Sequence, residues 1–171
     1  RAELAGLSDD ARQGMQSDLE QMDDIIGQFL DYAKPTDSKT FTPIDLSDLL
    51  QQTVQEVARI NDVRLTAKID DGLLMVGNPI EIRRVLNNLV ENARRYGKHD
   101  PALPVEINLH AYVESHRIVL DFSDHGNGIP EEEISRLLRP FTRLDQARGQ
   151  ANGAGLGLAI VDRIIKLHGG R

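Results

Sequence analysis

Three groups of residues in this sequence are of types that handle phosphate, metal and base chemistry. Asn88, Asn92 and Arg95 fall at i, i+4 and i+7. A helix there sets two carboxamides and a guanidinium on one shared stripe. Asn is a poor helix former that prefers caps and turns, so two of them inside a helix need a reason. The second group is Asp124-His125-Gly126-Asn127-Gly128-Ile129, directly after an alternating run. Glycines two apart allow close approach of a ligand, and Asp124 can accept a hydrogen bond from an amino group. The third is Gly153-Ala154-Gly155-Leu156-Gly157-Leu158, which opens the last helix. Backbone N–H groups and the positive end of the helix dipole make such a place suited to phosphate. Arg143 and Arg148, in the loop before it, can reach a phosphate. Alone, each group has a plain explanation: a solvated helix face, a capped turn, two loop arginines. The Gly-x-Gly-x-Gly run is not a dinucleotide fingerprint, because no strand precedes it and no βαβ unit surrounds it.

The elements that must position these groups are legible. Asn78 reads as an N-cap, Pro79 suits the first helical position, and Glu81 sits where a capping box places it. Ile82, Val85, Leu86, Leu89, Ala93 and Tyr96 then form one buried stripe. Val63–Ile69, Val105–Val113 and Ile118–Phe122 alternate as half-buried strands, and Glu114 to Arg117 reads as a hairpin connection. Phe41–Ile44 and Leu73–Val76 are shorter extended pieces, with Asp70-Asp71-Gly72 as a turn. Asp45 or Ser47 caps a helix running to about Ala58. A short helix spans Pro130 to Leu138, with Glu131, Glu132 and Glu133 favourable to its dipole. Residues 139–152 read as a mobile loop, and Leu156–Leu167 closes the chain as a helix. Mixed strands and helices imply an α/β sandwich with helices on one face of a mixed sheet.

The N-terminal part is different. From Ser8 to Ala33, Met15, Leu19, Met22, Ile26, Phe29 and Ala33 recur as a heptad seam. One helix cannot bury its own seam, so it packs either on the rest of this chain or in a helical bundle; with no second heptad helix in the sequence, the intermolecular bundle is the favoured reading. Lys34-Pro35-Thr36-Asp37-Ser38 breaks the pattern as a linker.

Bulk composition excludes several classes. The net charge of −7 argues against a phosphate-backbone binder, and four Phe, three Tyr and no Trp leave little for base stacking. No cysteine means no disulfide, no thiolate metal site and no Cys nucleophile. No run of about 18 apolar residues spans a membrane, and the N-terminus has no signal-peptide pattern. Both ends read as cut points within a longer chain.

Taken in order, with Phe141 between the last two, the three groups resemble the N, G1, F and G2 boxes of the ATP-binding domain of sensor histidine kinases. The resemblance covers about Phe41 to Gly170. It implies the Bergerat-type (GHKL) two-layer sandwich shared with gyrase, the 90-kDa heat-shock chaperone and MutL. It divides the chain into 1–34, part of the second helix of the dimerisation and phosphotransfer bundle; 35–40, a linker; and 41–171, the ATP-binding domain, without the family's final strands. The runs VENARRYG and RPFTRLDQAR resemble the EnvZ-like osmosensor subgroup.

By resemblance, Asn92 ligates Mg²⁺ and Asn88, one turn earlier, helps hold the metal or its waters. Arg95 contacts phosphate, and Tyr96 packs near adenine or ribose. Asp124 accepts from the adenine amino group, while Gly126, Gly128 and Ile129 shape the adenine wall. Arg143 and Arg148 meet the β/γ-phosphates. Gly153, Ala154, Gly155 and Gly157 form the lid, with Leu156 and Leu158 anchoring the helix. A carboxamide oxygen suits hard Mg²⁺, which takes few protein ligands. Ala154 departs from the family's usual Ser or Thr and removes one hydroxyl near the phosphates.

No histidine has the phosphoacceptor context: His99, His110, His116, His125 and His168 all fall in the ATP domain. The resemblance therefore implies transfer of the ATP γ-phosphoryl to a His on a helix outside this chain. A response-regulator receiver domain would be the onward partner and a homodimer the assembly. The expected setting is cytoplasmic, in a parent anchored in the bacterial inner membrane, with no nucleic-acid partner. Two other readings compete. Related ATPases carry Glu where this chain has Asn88, and Asn cannot serve as that base. A non-enzymatic docking module would carry a vestigial ATP site.

Overall fold

The computed structural model describes residues 9–33, 40–98, 100, 102–144 and 154–171. The long helix α1 spans Asp9–Ala33; Ser8, its expected cap, lies outside the described residues. Strand β1 (Thr42–Asp45) leads into α2 (Leu46–Val57), then β2 (Val63–Ile69), β3 (Leu74–Gly77) and α3 (Pro79–Tyr96). Strands β4 (Val105–Glu114) and β5 (Arg117–Asp124) follow, then α4 (Glu131–Leu137) and α5 (Gly157–Leu167).

The two short strands pair with each other, antiparallel, with Thr42 opposite Gly77. The longer three form a mixed sheet in the order β2-β4-β5. β2 runs parallel to β4, with Val63 beside Val105. Parallel neighbours need a long crossover, and β3 with α3 supplies it. β4 and β5 close as the expected hairpin, with Glu114 opposite Arg117. Its two turn residues, Ser115 and His116, take φ of 48° and 64°, the left-handed backbone that matches strand twist in a two-residue turn.

Alternation along β4 decides which face is covered. Val105, Ile107, Leu109 and Ala111 are buried, while Glu106 and Asn108 between them are exposed. Leu109 and Ala111 pack with Leu49 and Leu50 of α2 and Ile82 and Leu86 of α3. Val105 and Ile107 pack with Val57, Val90 and Ala93. α5 packs on α3 through Val85, Leu156, Ile160 and Ile164. This is the expected layer of helices on a mixed sheet.

Capping residues set where helices begin. Asp45, not Ser47, caps α2: its Oδ1 accepts from the N–H groups of Ser47 at 2.9 Å and Asp48 at 3.3 Å. Ser47 turns inward instead, donating to the Asp70 carbonyl and accepting from the Leu73 N–H, both at 2.9 Å. Asn78 caps α3 as expected, accepting from Ile80 and Glu81. The capping box does not form. The Asn78 N–H donates to His168 Nε2 at 3.0 Å, and Glu81 is drawn sideways to Arg84 at 3.3 Å. His168 must therefore be protonated on Nδ1, which lies 2.8 Å from the Ile164 carbonyl. Its ring stacks on Phe41 with centroids 4.5 Å apart.

The α3 stripe also needs correction. Val90, not Tyr96, completes it: Val90 is buried and Tyr96 is 50% exposed. Tyr96 is the last helical residue.

Candidate functional site

The last three turns of α3 and the first turn of α5 build the centre of the site. α3 projects Asn88 and Asn92 toward α5, as their spacing requires. Gly157, the first residue of α5, lies against both. A Cβ there would stand 3.3 Å from Asn88 Oδ1 and 3.2 Å from Asn92 Oδ1. Asn88 is oriented by its own helix, since its Nδ2 donates to the Arg84 carbonyl at 2.8 Å. Its oxygen is left facing the start of α5. Asn92 Nδ2 is buried without a hydrogen-bond partner, a costly arrangement for an amide in a packed interior. α5 starts without a side-chain cap and without an acidic residue in its first turn. Its opening N–H groups are therefore left to other acceptors.

Leu156 fixes this helix start, being fully buried between α3 and α5. Leu158 is half-buried. Gly155 has φ +67°, and a Cβ on it would stand 2.7 Å from the Thr142 carbonyl and 3.1 Å from the Phe141 carbonyl carbon. Only glycine meets both demands. This contact joins the loop after α4 to the glycine run, although they are separate in sequence. Phe141 is itself exposed, with φ 63°. Arg143 is half-buried, and its carbonyl accepts from Arg136 Nη2 at 2.8 Å. Ala154 packs at the edge of the α3–α5 cluster. Arg148 and Gly153 lie outside the described residues.

The Asp124 turn docks on the C-terminal end of the same helix, one turn beyond Asn92. Asp124 Oδ1 accepts from the Gly126 N–H at 2.8 Å, which holds the carboxylate in a tight turn. A Cβ on Gly126 would stand 2.5 Å from the Tyr96 carbonyl. Gly128 has φ +69°, and Ile129 is exposed. The structure thus brings two sequence-distant groups onto one helix: the α5 start against Asn88 and Asn92, and the Asp124 turn against Tyr96 and Gly97.

Arg95 lies 4.0 Å from Glu91, next to a charged flank made by Arg94, Asp62 and Lys98. The hydrogen bonds that Arg94 donates to Glu91 and then to Asp62 raise its pKa further. Desolvation acts to raise the Asp62 carboxyl, but Arg94 and Lys98 together hold it below its ordinary value. Sequence reasoning also missed Gly97 and Thr142. Gly97 carries a weak signal, as a glycine just past the last periodic residue; Thr142 carries none.

Residues 77–171 match the family described as histidine kinase-, DNA gyrase B-, and HSP90-like ATPase. The signal transduction histidine-protein kinase/phosphatase MprB of Mycolicibacterium smegmatis is 31% identical over 98% of this chain and 33% of its own length. The chain thus spans a third of that relative. The ATP-binding domain of PrrB from Mycobacterium tuberculosis superposes with a TM-score of 0.57 at 27% identity, covering 76% of this chain and 82% of that one. The histidine kinase domain of the E. coli osmosensor EnvZ gives 0.56 at 29% identity, covering 81% and 80%. Across more than half its length, and with an α/β layering common to those domains, this chain belongs to the histidine kinase-, DNA gyrase B- and HSP90-like ATPase family.

Proposed function

We propose that this chain is the ATP·Mg²⁺-binding catalytic part of a sensor histidine kinase. It would transfer the γ-phosphoryl group of ATP to a histidine on a bundle helix not among these 171 residues. The phosphoryl group would then pass to an aspartate of a response-regulator receiver domain. The observation that carries the reading is the convergence of the Asn88 and Asn92 oxygens on the first residue of α5. Two carboxamide oxygens and a set of helix N–H groups meet there, one suited to a hard cation and the other to phosphate.

The donor set fits Mg²⁺. Both inward atoms are neutral oxygens, and among the described residues no group of three His, Asp or Glu gathers to form a cage. Mg²⁺ usually takes one or two protein ligands and completes its shell with phosphate and water. Asn92 would be the ligand, with Asn88 beside it. When bound, the ion would offset negative charge on the phosphates during transfer. Arg95, Arg143 and Arg148 would add positive charge around the triphosphate. Leaving the Glu91 flank would be the cost for Arg95. Asp124 would receive the adenine amino group on Oδ2, its other oxygen being held by Gly126. Tyr96, Gly126, Gly128 and Ile129 would flank the base, and residues 153–158 would close over the phosphates. A closed lid would exclude water and favour transfer to protein over hydrolysis.

The domain division proposed is 1–34, 35–40 and 41–171, with α1 as one helix of a dimerising bundle. Its exposed Met15, Leu19, Met22, Ile26 and Phe29 support that role. No helix among the described residues is long and apolar enough to cross a membrane. Membrane anchoring and a cytoplasmic setting are proposed for the parent protein by family likeness.

Titration with a fluorescent ATP analogue, with and without Mg²⁺, tests the site. Asn92→Ala should weaken Mg²⁺-dependent binding by about tenfold or more, with an unchanged circular dichroism spectrum. Unchanged magnesium dependence would remove the metal role, and no binding at high micromolar nucleotide would remove the reading. Labelling of a histidine-bearing bundle helix supplied in trans tests the transfer step.

A further inference from the structure

Gly97 lies in none of the nucleotide-binding motifs, yet it sits between α3 and the Asp124 turn. A Cβ at position 97 would stand 2.9 Å from both Cβ and Cγ of Asp124 and 2.7 Å from the Ala93 carbonyl. The reverse contact is as tight: a Cβ on Gly126 would stand 2.9 Å from Gly97 Cα. Two bare glycine backbones therefore face each other, and the Asp124 side chain occupies the space that a side chain at 97 would fill. Gly97 is buried, with φ −87° and ψ 0°. Any residue adopts that backbone, so conformational freedom is not why glycine stands here. What stands in the way of a side chain is the Ala93 carbonyl and the Asp124 side chain, and of the two Asp124 is the one placed at the site.

The consequence is positional. The Gly97 N–H donates to the Ala93 carbonyl at 2.7 Å, the last turn of α3, and that helix carries Asn92 five residues earlier. Through the Gly97–Gly126 contact, the depth of the Asp124 carboxylate is gauged against the helix that also holds the carboxamides. We propose that Gly97 is a positioning residue for adenine recognition, setting where the Asp124 carboxylate meets the base without touching the nucleotide. This rests on the reading of Asp124 as the adenine acceptor. A side chain at 97 would push the carboxylate outward, and a charged hydrogen bond misplaced by an ångström loses most of its directional strength.

The test compares Gly97→Ala, Asp124→Ala and the double variant in Mg²⁺-dependent binding of a fluorescent ATP analogue. Competition by inorganic tripolyphosphate reports the phosphate half alone. Gly97→Ala should weaken ATP binding about tenfold, as expected for loss of one charged hydrogen bond, and leave tripolyphosphate competition unchanged. In the Asp124→Ala background it should add almost nothing. Equal loss of ATP and tripolyphosphate, full additivity, or unchanged ATP affinity would each overturn the proposal. If Asp124→Ala itself leaves affinity unchanged, the adenine-acceptor reading falls, and the gauge with it. Should Gly97→Ala lower the melting temperature, Asp124→Gly removes both clashing carbons. Recovery in that double variant assigns the strain to Asp124; a persisting loss assigns it to the Ala93 carbonyl and overturns the proposal.

Discussion

Helices α1 and α3 carry apolar residues at similar helical spacing and meet opposite fates. On α3, Ile82, Val85, Leu86 and Val90 are buried between the sheet and α5. On α1, Leu19 is 61% exposed and Phe29 49%. Its far end is engaged: Tyr32 packs beside the α3–α5 cluster, with the Arg163 guanidinium 5.5 Å over its ring. The difference teaches that amphipathic spacing states a demand for a partner and not its source. α3 finds its partners within the chain because a parallel β2–β4 pair forces a crossover onto the sheet. α1 precedes that crossover and has no such constraint. On a neighbouring stripe, α3 turns Asn88 and Asn92 toward the start of α5.

This contrast can be broken or sharpened experimentally. Ile164→Ala, in the layer that covers α3, should cost about 2–5 kcal/mol by loss of buried contacts and creation of a cavity. Chemical denaturation measures it, and a loss below 1 kcal/mol would mean that α5 is not a true covering layer. Asp62→Asn, on the polar flank of α3, should cost less than about 1 kcal/mol, because the pair is well exposed and screened. The folded carboxyl is held low, so its contribution is present above the unfolded Asp value of about 3.9 and is lost as pH falls through the folded value. The difference between variant and parent should therefore vanish in that acid window; a gap persisting below it would point to packing instead. Leu19→Glu on α1 should change the stability of the remaining fold by no more than about 0.5 kcal/mol. Sedimentation should show weaker self-association. A destabilised fold with unchanged association would place α1 against its own chain.

Much of the fold was legible because its signals are local. The Asn78 cap, the alternation of β4 and the Glu114–Arg117 hairpin each depend on a few adjacent residues. Two readings failed. Glu81 had the right spacing for a capping box, but His168, 90 residues away, takes the Asn78 N–H, a tertiary contact that outweighs a local preference worth about 1 kcal/mol or less. Tyr96 had the right period for the core, but it is the last residue of α3 and half of it is exposed.

For the site, helical geometry alone put Asn88 and Asn92 on one face, because a 3.6-residue period needs no partner. The same is true of the heptad seam on α1 and of the glycine-rich helix start. The sequence could not say that Gly157 meets those carboxamides, that Gly155 meets Thr142, or that Gly97 makes room for Asp124. Those contacts join segments far apart in the chain, and their distances are set by strand register and by how closely helices pack. A missing Cβ is visible in the sequence as a glycine; only the folded chain shows what fills the space.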